Sequence, residues 1–246
     1  MKKKRGRAAR APGPRRPAPP ARRFEPRSWR VIFNVSVVFL FMDLEQIFQK
    51  IGPFTCIGRE RQFNLAAAVM NTYEERISGC LIECGTWKCG SVGLMTLVDD
   101  TLGSTREIHG FDSFEGLPEP TPEDGSGASG WGGALKIYHS DALNNLKGMG
   151  AERAILHKGF FEETLPEFKK TVSSIAVLRL DGDWYSSTMT VFNELYDLVS
   201  PGGYVIVDDY GHWEGCKKAT DEFREIRKIS TPLNKTDYTE FWWRKE

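Results

Sequence analysis

Two acidic clusters carry the residue types best suited to chemistry, Asp-Gly-Asp at 181–183 and Asp-Asp at 208–209. Each directly follows an apolar run, at 175–180 and 203–207, that is typical of a buried strand. Ligands bind at the carboxyl ends of the strands of an open α/β sheet. Carboxylates on neighbouring strand ends repel one another unless a cation lies among them, and hard oxygen ligands suit Mg²⁺ or Ca²⁺. The two clusters therefore predict a metal-assisted enzyme.

Local structure offers a second explanation of the same residues. Asp-Gly is common in turns, and an Asp residue often caps a helix. Either cluster alone is explained equally well in this way. Two clusters at equivalent strand ends favour the metal site.

The turn after the first predicted strand, residues 83–91, has the character of a ligand-binding loop. It lacks the glycine spacing of a dinucleotide-binding loop and the Gly-Lys-Ser ending of a phosphate-binding loop, which disfavours NAD and ATP. A helix that starts near Ser91 directs backbone N–H groups at a ligand carboxylate, and Glu83 is suited to an ammonium or sulfonium group. S-adenosylmethionine carries all of these groups, so the loop predicts this cofactor.

Asp112 ends the second predicted strand, at 108–111. An acidic residue at this position accepts hydrogen bonds from ribose hydroxyls in dinucleotide-binding folds, and we expect the same role here. A simple cap or turn residue is the alternative.

The elements around these residues alternate between helix and strand, which predicts βαβ units with right-handed crossovers. Predicted strands lie at 80–84, 108–111, 154–157, 175–180 and 203–207; predicted helices lie at 61–77, from near Ser91, at 188–199 and at 215–229.

Residues 119–133 are dense in Pro, Gly and Ser, which predicts a loop. Because it follows the second strand at the ligand-binding edge, it is suited to a mobile lid over the site. An ordinary surface insertion is the alternative.

The charges divide unevenly along the chain, although basic and acidic residues number 33 each. Residues 1–30 hold twelve basic residues and one acid, whereas residues 31–246 hold 21 basic and 32 acidic residues. The first segment is rich in Arg and Pro and lacks apolar periodicity, which predicts a disordered tail. The acidic remainder argues against nucleic-acid binding by the core.

Residues 31–42 form a short apolar segment of uncertain role. It is too short for a standard membrane span, and three interpretations stay open: a weak export or anchor signal, a first helix on the core, or an extension upstream of a start at Met42. The five cysteines form neither a metal-type nor a disulfide-type spacing, so we expect mostly small buried side chains and a cytoplasmic body, with membrane association through residues 1–42 as the weaker alternative.

Five motifs from 51 to 245 together resemble the macrocin O-methyltransferase family. They are ECGTW at 83–87, DSFEGLP at 112–118, GFFEETLP at 159–166, DGDWYSST at 181–188 and PGGYVIVDDY at 201–210. The resemblance implies a class I, Rossmann-like fold with a mainly parallel sheet, helices on both faces and an antiparallel strand near 241–244. It also implies S-adenosylmethionine and Mg²⁺ as cofactors and a hydroxyl, often on a sugar, as the methyl acceptor.

Roles for individual residues follow from this resemblance. Asp183 is the implied general base. Cys89 departs from the Gly or other small residue that is common there in the family, and the basic tail has no family counterpart. The implied metal ligands are Asp181, Asp208 and Asp209, and the implied cofactor-binding residues are Glu83, Gly85, Ser91, Asp112 and Ser113.

His212 lies just beyond the second acidic cluster and is a candidate second base or substrate contact, with a plain surface residue as the alternative. Trp131 and Trp213 are candidates to stack on a sugar or macrocycle, whereas at least one of Trp242 and Trp243 should belong to the core.

The sequence as a whole predicts a methyltransferase domain at 43–246 that transfers a methyl group to a hydroxyl of a small, glycosylated molecule. A homo-oligomer is compatible with this prediction. A binding module without turnover and a metal-dependent nucleotide-sugar hydrolase are the alternatives. The intact carboxylate set argues against the first, and residues 83–91 stay unexplained by the second.

Overall fold

The computed structural model describes residues 44–246, which build one seven-stranded sheet. The strands in chain order are β1 (Cys80–Cys84), β2 (Ile108–Asp112), β3 (Ile155–Lys158), β4 (Ile175–Leu180), β5 (Val199–Val207), β6 (Asn234–Lys235) and β7 (Phe241–Arg244). They are arranged as β3-β2-β1-β4-β5-β7-β6. The first five strands are parallel, and β7 runs antiparallel to both β5 and β6.

Helices cover both faces of this sheet. They are α1 (residues 44–51 of the described chain), α2 (Arg59–Glu74), α3 (Gly90–Thr101), α4 (His139–Met149), α5 (Phe161–Phe168), α6 (Tyr185–Leu195) and α7 (Glu214–Ile226). Buried side chains of α1 to α4 share one apolar cluster. Those of α5 to α7 share the other.

The central strands are almost entirely apolar because both of their faces are covered, and the charged exceptions in β1 and β4, Glu83 and Arg179, pair with each other. Every residue of β1 and β4 is buried. Alternate side chains point to opposite faces of a strand, so Leu81 joins the cluster of α1 to α4 and Ile82 joins the other. The acidic residues that follow these strands are thereby fixed at one edge.

The predicted fold class is confirmed, including the antiparallel strand at 241–244. The helix predicted at 188–199 is shorter than expected, because a 3₁₀ turn at Tyr196–Leu198 ends it and Val199 already pairs with β4. Sequence reasoning missed α4, α5 and β6. Helix α5 has only eight residues and contains Pro166, so it gives a weak periodic signal.

The predictions for residues 1–30 and 31–42 lie outside the described residues. Within 44–246, no helix combines the length and apolar character needed to cross a membrane. Of the cysteines, four are buried as expected and Cys56 is exposed, all of them free thiols. Trp243 is fully buried in the core.

Candidate active site

One pocket opens at the carboxyl edge of the parallel strands, and it collects every predicted site residue. The loops after β1, β2, β4 and β5 and the segment before β7 form its walls. The predicted residues on these walls are Glu83, Gly85, Ser91, Asp112, Ser113, Asp181, Asp183, Asp208, Asp209 and His212.

Three carboxylates, those of Asp181, Asp208 and Asp209, converge at the centre of the pocket. One oxygen of each lies within 4.8 Å of the others. Strand pairing sets this arrangement, because the backbone N–H of Asp181 bonds to β1 at Cys84 and that of Asp208 bonds to β4 at Leu180. Oδ2 of Asp209 is buried and has no hydrogen-bond partner among the described residues. A buried oxygen without a donor, beside two further carboxylates, fits a divalent cation.

Two carboxyl groups of this cluster have pKa values above the usual range. Burial, partly offset by Arg179, raises the pKa of Asp208 to about 6. Burial and the charge of Asp183 raise the pKa of Asp209 well above its usual value. Carboxylates in this condition gain most from a positive charge placed among them.

Arg179 is one of two arginines of the site, with Arg61, that sequence reasoning missed. It lies on β4, its side chain is fully buried, and it joins acids from three strands. One Nη atom contacts Glu83 and also Oδ2 of Asp181 at 2.7 Å, while the other contacts Asp208. A buried arginine requires acidic partners. The sequence signal for this contact was therefore the charged Arg179 inside the apolar run 175–180.

Arg61 of α2 binds the cluster from another side. Its Nη1 donates to Oδ2 of Asp208 at 2.6 Å, and its Nε lies 3.1 Å from Oδ2 of Asp237. Unlike Arg179, Arg61 lines the pocket. The two arginines neutralise part of the acidic charge, which leaves an excess of carboxylates.

The loop after β1 brings Glu83 and Gly85 to the pocket. Gly85 has a φ of 93°, and a Cβ there would lie 1.7 Å from the carbonyl oxygen of Asp181, so only glycine fits. Glu83 is 1% exposed and paired with Arg179, but its Oε2 has no partner among the described residues. Burial raises the pKa of Glu83 to about 8.

Helix α3 begins at Gly90, so Gly90 and Ser91 present its first turn to the pocket. Cys89 precedes the helix with a φ of 68°, in the left-handed region. Glycine adopts this conformation without strain, which explains why a small residue is common here in the family. Cys89 is fully buried and adopts the left-handed conformation without being glycine.

Asp112 organises the loop that follows β1. Its Oδ2 accepts hydrogen bonds from the backbone N–H groups of Thr86 at 2.9 Å and Trp87 at 2.8 Å, and its Oδ1 accepts one from Phe114 at 2.7 Å. The hydroxyl of Ser113 shapes the next turn through Gly116. Both lone pairs of Oδ2 are thus occupied, whereas Oδ1 retains one for a further donor.

Asp183 is held beside the metal-type cluster in an unusual backbone conformation, with a φ of 59°. Nε1 of Trp213 donates to its Oδ1 at 2.8 Å. Burial and the charge of Asp181 raise the pKa of Asp183 to about 8. A non-glycine residue costs on the order of 1–3 kcal/mol in this region, and such strain is concentrated at functional sites.

His212 lies at the rim of the pocket and is exposed. Its ring meets the ring of Trp213 edge to face, with centroids 4.5 Å apart. It is therefore a wall residue near Asp183 rather than part of the buried cluster.

The loop between β2 and α4, residues 113–138, crosses above the pocket and is anchored at its base. Nε1 of Trp184 donates to the carbonyl of Pro118 at 2.8 Å, and Oδ1 of Asp124 accepts from the backbone N–H of Tyr185 at 2.7 Å. Asp124 is 1% exposed, and a Cβ at Gly215 would lie 2.0 Å from its Oδ1. The segment borders the site, as a lid would, but its base is fixed.

Comparison with known proteins identifies the family of this chain. The family model described as Macrocin-O-methyltransferase (TylF) matches residues 50–245. The chain belongs to the macrocin O-methyltransferase family. It is thus an O-methyltransferase, as the sequence motifs predicted.

Curated relatives of this macrocin O-methyltransferase family member come from actinomycetes. The 8-demethyl-8-(2,3-dimethoxy-alpha-L-rhamnosyl)-tetracenomycin-C 4'-O-methyltransferase of Streptomyces olivaceus is 32% identical over 198 residues, 77% of this chain and 75% of that protein. The demethyldecarbamoylnovobiocin O-methyltransferase of Streptomyces niveus is 32% identical over 205 residues, 78% of this chain and 75% of that protein. The mycinamicin III 3''-O-methyltransferase of Micromonospora griseorubida is 29% identical over 204 residues, 78% of each.

Solved structures agree with the fold. The O-methyltransferase NovP superposes with a TM-score of 0.77 at 27% identity, covering 85% of this chain and 99% of that one. The calicheamicin methyltransferase CalS11 gives a TM-score of 0.63 at 17% identity, covering 83% and 91%, and supports the fold alone.

Proposed function

We propose that this O-methyltransferase uses S-adenosylmethionine and a divalent cation, preferably Mg²⁺, to methylate a hydroxyl of a small glycosylated molecule. The observation that carries the proposal is the junction of two residue sets in one pocket. Asp181, Asp208 and Asp209 lie on one side, and the loop after β1 with Asp112 lies on the other.

The cofactor side suits a nucleoside with an amino-acid end. Backbone N–H groups at the start of α3 would bind the carboxylate, and Asp112 would accept hydrogen bonds from the ribose hydroxyls. The ammonium or sulfonium group, once bound nearby, would favour the charged form of Glu83, whose pKa burial otherwise raises. The buried, unpartnered Oε2 of Glu83 supports that role.

The acidic side suits acceptor activation. Asp181, Asp208 and Asp209 would hold the cation, which when bound stabilises negative charge on an acceptor oxygen. Asp183 would take the hydroxyl proton at its carboxylate while Trp213 holds that carboxylate in place. The remaining requirement is alignment of oxygen, methyl carbon and sulfur, which the anchored loop at 113–138 assists by excluding water.

The acceptor class rests on the relatives. The curated relatives are named for a rhamnosyl-tetracenomycin, a novobiocin precursor and mycinamicin III, which supports a glycosylated secondary metabolite as acceptor here. A non-catalytic binding module would not need the strained Asp183, and a hydrolase would not need the loop after β1.

Methyl transfer from S-adenosylmethionine with a labelled methyl group to a panel of glycosides tests the proposal. Asp183→Asn is expected to retain Mg²⁺ binding but to lower kcat by roughly 10²–10⁴-fold, the range for loss of a general base. Ser129→Ala is the control, because Ser129 lies in the loop at 113–138 and outside the pocket lining. Wild-type activity in Asp183→Asn would remove Asp183 from the base role.

A further inference from the structure

We propose that a row of four aromatic rings, Trp131, Trp213, His212 and Tyr238, is the acceptor platform and binds an uncharged aromatic aglycone next to the methylated sugar. The inference rests on the proposed function and names the acceptor chemistry that this chain selects. It assigns Trp131 and Tyr238 as specificity-determining residues.

Sheet order separates three rings of this row from the cofactor side, and Trp131 reaches them from the loop after β2 through its contact with Trp213. The cofactor-type residues follow β1 and β2, whereas His212 and Trp213 follow β5 and Tyr238 precedes β7. Strand β4, with Asp181 at its end, lies between the two groups. An acceptor on the aromatic row therefore faces the cofactor across the acidic cluster, as methyl transfer requires.

The four rings are continuous. The centroids of Trp131 and Trp213 are 5.6 Å apart with an interplanar angle of 73°, and those of Trp213 and His212 are 4.5 Å apart. His212 and Tyr238 are 6.1 Å apart at 77°. Edge-to-face contacts of this kind are favourable arrangements of aromatic rings and hold the row together.

The two ends of the row are too exposed to serve the core. Trp131 is 44% exposed and Tyr238 is 65% exposed, although both line the pocket. Trp213 is 9% exposed and bonded to Asp183, so it is fixed in place between the base and the platform. Exposed large apolar side chains around a pocket mark a ligand surface.

The platform is preformed because its loop is anchored. The buried carboxylate of Asp124 holds the start of α6, and the backbone N–H of Trp131 bonds to the carbonyl of Ala128 at 3.2 Å. A ligand that stacks on Trp131 therefore orders little additional chain, which preserves binding free energy.

The charge of the pocket selects an uncharged occupant. Its lining includes a single basic residue, Arg61, which is already bound to Asp208 and Asp237. The acidic residues of the lining are Glu83, Asp112, Glu162, Asp181, Asp183, Asp208 and Asp209. An anionic aglycone would meet this excess of carboxylates, whereas a neutral aromatic ring would not.

The test compares matched phenyl and methyl glycosides of several hexoses and deoxyhexoses. Binding to the complex of the full chain with S-adenosylhomocysteine and Mg²⁺ is followed by calorimetry and by tryptophan fluorescence, without turnover. Aromatic pairs contribute about 0.5–1.5 kcal/mol each, so the phenyl glycoside of a given sugar should bind roughly 2- to 12-fold more tightly than the methyl glycoside.

Trp131→Ala and Tyr238→Ala should each reduce this preference by roughly 3-fold or more, and Trp131→Phe should restore most of it. Tyr138→Ala is the matched control, because Tyr138 belongs to the same loop and is 73% exposed but does not line the pocket. All four variants should keep the wild-type affinity for S-adenosylhomocysteine.

Equal binding of the phenyl and methyl glycosides by the wild type would overturn the platform, as would an unchanged preference in both alanine variants. Failure of every glycoside to bind while S-adenosylhomocysteine binds would overturn it too. Failure of S-adenosylhomocysteine itself to bind would instead contradict the proposed function, so the two failures are distinguishable.

Discussion

Arg179 connects the two halves of the site at the scale of single residues. Its guanidinium contacts Glu83, on the proposed cofactor side, and Asp181 and Asp208, in the proposed metal site. A change in one half is therefore transmitted to the other through one buried side chain.

Replacement of Arg179 tests this connection. Arg179→Met should lower the free energy of unfolding by about 3–5 kcal/mol, because it leaves buried carboxylates without their partner. It should also weaken binding of S-adenosylhomocysteine, since Glu83 loses its fixed position. Urea denaturation and calorimetry measure the two effects.

Arg61→Met is the control for that variant. Arg61 also contacts Asp208, but it is partly exposed and does not contact Glu83. We expect a smaller loss of stability and an unchanged affinity for S-adenosylhomocysteine. Equal effects of the two substitutions on the affinity for S-adenosylhomocysteine would contradict the proposed role of Arg179 in connecting the two halves of the site.

Asp112 supports a second prediction at this scale. Asp112→Ala should weaken S-adenosylhomocysteine binding by roughly 10- to 100-fold, because the ribose loses a charge-assisted partner worth on the order of 1.5–3 kcal/mol. The same change also removes the acceptor for Thr86 and Trp87, so circular dichroism must show a folded variant. Unchanged affinity in a folded Asp112→Ala protein would exclude Asp112 from the cofactor site.

The carboxylates were predictable from sequence because they follow apolar runs directly, and strand direction alone brings such residues to one edge. Arg179 and Arg61 were not. Arg179 and Glu83 are 96 residues apart. Their pairing depends on β4 lying next to β1, which no local pattern specifies.

At the scale of elements, the outer strands β2 and β3 contain a histidine pair away from the active site. Nδ1 of His109 lies 3.1 Å from Nε2 of His157, and the ring of His157 stacks on Phe111 with centroids 4.3 Å apart. Burial, together with His109, lowers the pKa of His157 to about 4. The folded protein therefore favours the neutral ring.

This pair predicts a loss of stability in acid. A lowered histidine pKa stabilises the fold fully above the unfolded value of about 6.5, and the contribution is lost as the pH falls from there toward 4. His157→Gln should therefore lose less free energy of unfolding between pH 7 and pH 5 than the wild type, by on the order of 1 kcal/mol after allowance for partial exposure.

Urea denaturation at the two pH values measures that difference, and His212→Gln, a substitution at an exposed ring, is the control. The acidic cluster titrates in all three proteins, so the comparison isolates the histidine pair. A His157→Gln protein with the pH dependence of the wild type would contradict the assignment.

The strands were more predictable than the helices for a physical reason. Buried parallel strands such as β1 and β4 are continuous apolar runs, whereas α4 and α5 are short and contain polar residues or Pro166. The loop was recognised by composition at 119–133, but its anchor at Asp124 depends on contacts with α6 and α7 that composition does not reveal.

At the scale of the whole molecule, one sheet edge assembles a cofactor side, an acidic centre and an aromatic side in that order. The order follows from strand arrangement: β2 and β1, then β4, then β5 and β7. Every side chain that we place in the site lies within the residues matched by the macrocin O-methyltransferase family model. The fold thus provides the alignment, and the residues at the strand ends provide the chemistry.

The most direct test of the account is the dependence of methyl transfer on a divalent cation. Protein stripped with EDTA would be supplied with S-adenosylmethionine and the phenyl glycosides, and methylated product would be followed by mass spectrometry as Mg²⁺ is added. We predict no turnover without the cation, restoration by Mg²⁺, and a much higher Mg²⁺ requirement in Asp209→Asn. Full turnover by the stripped protein would contradict the metal-assisted mechanism.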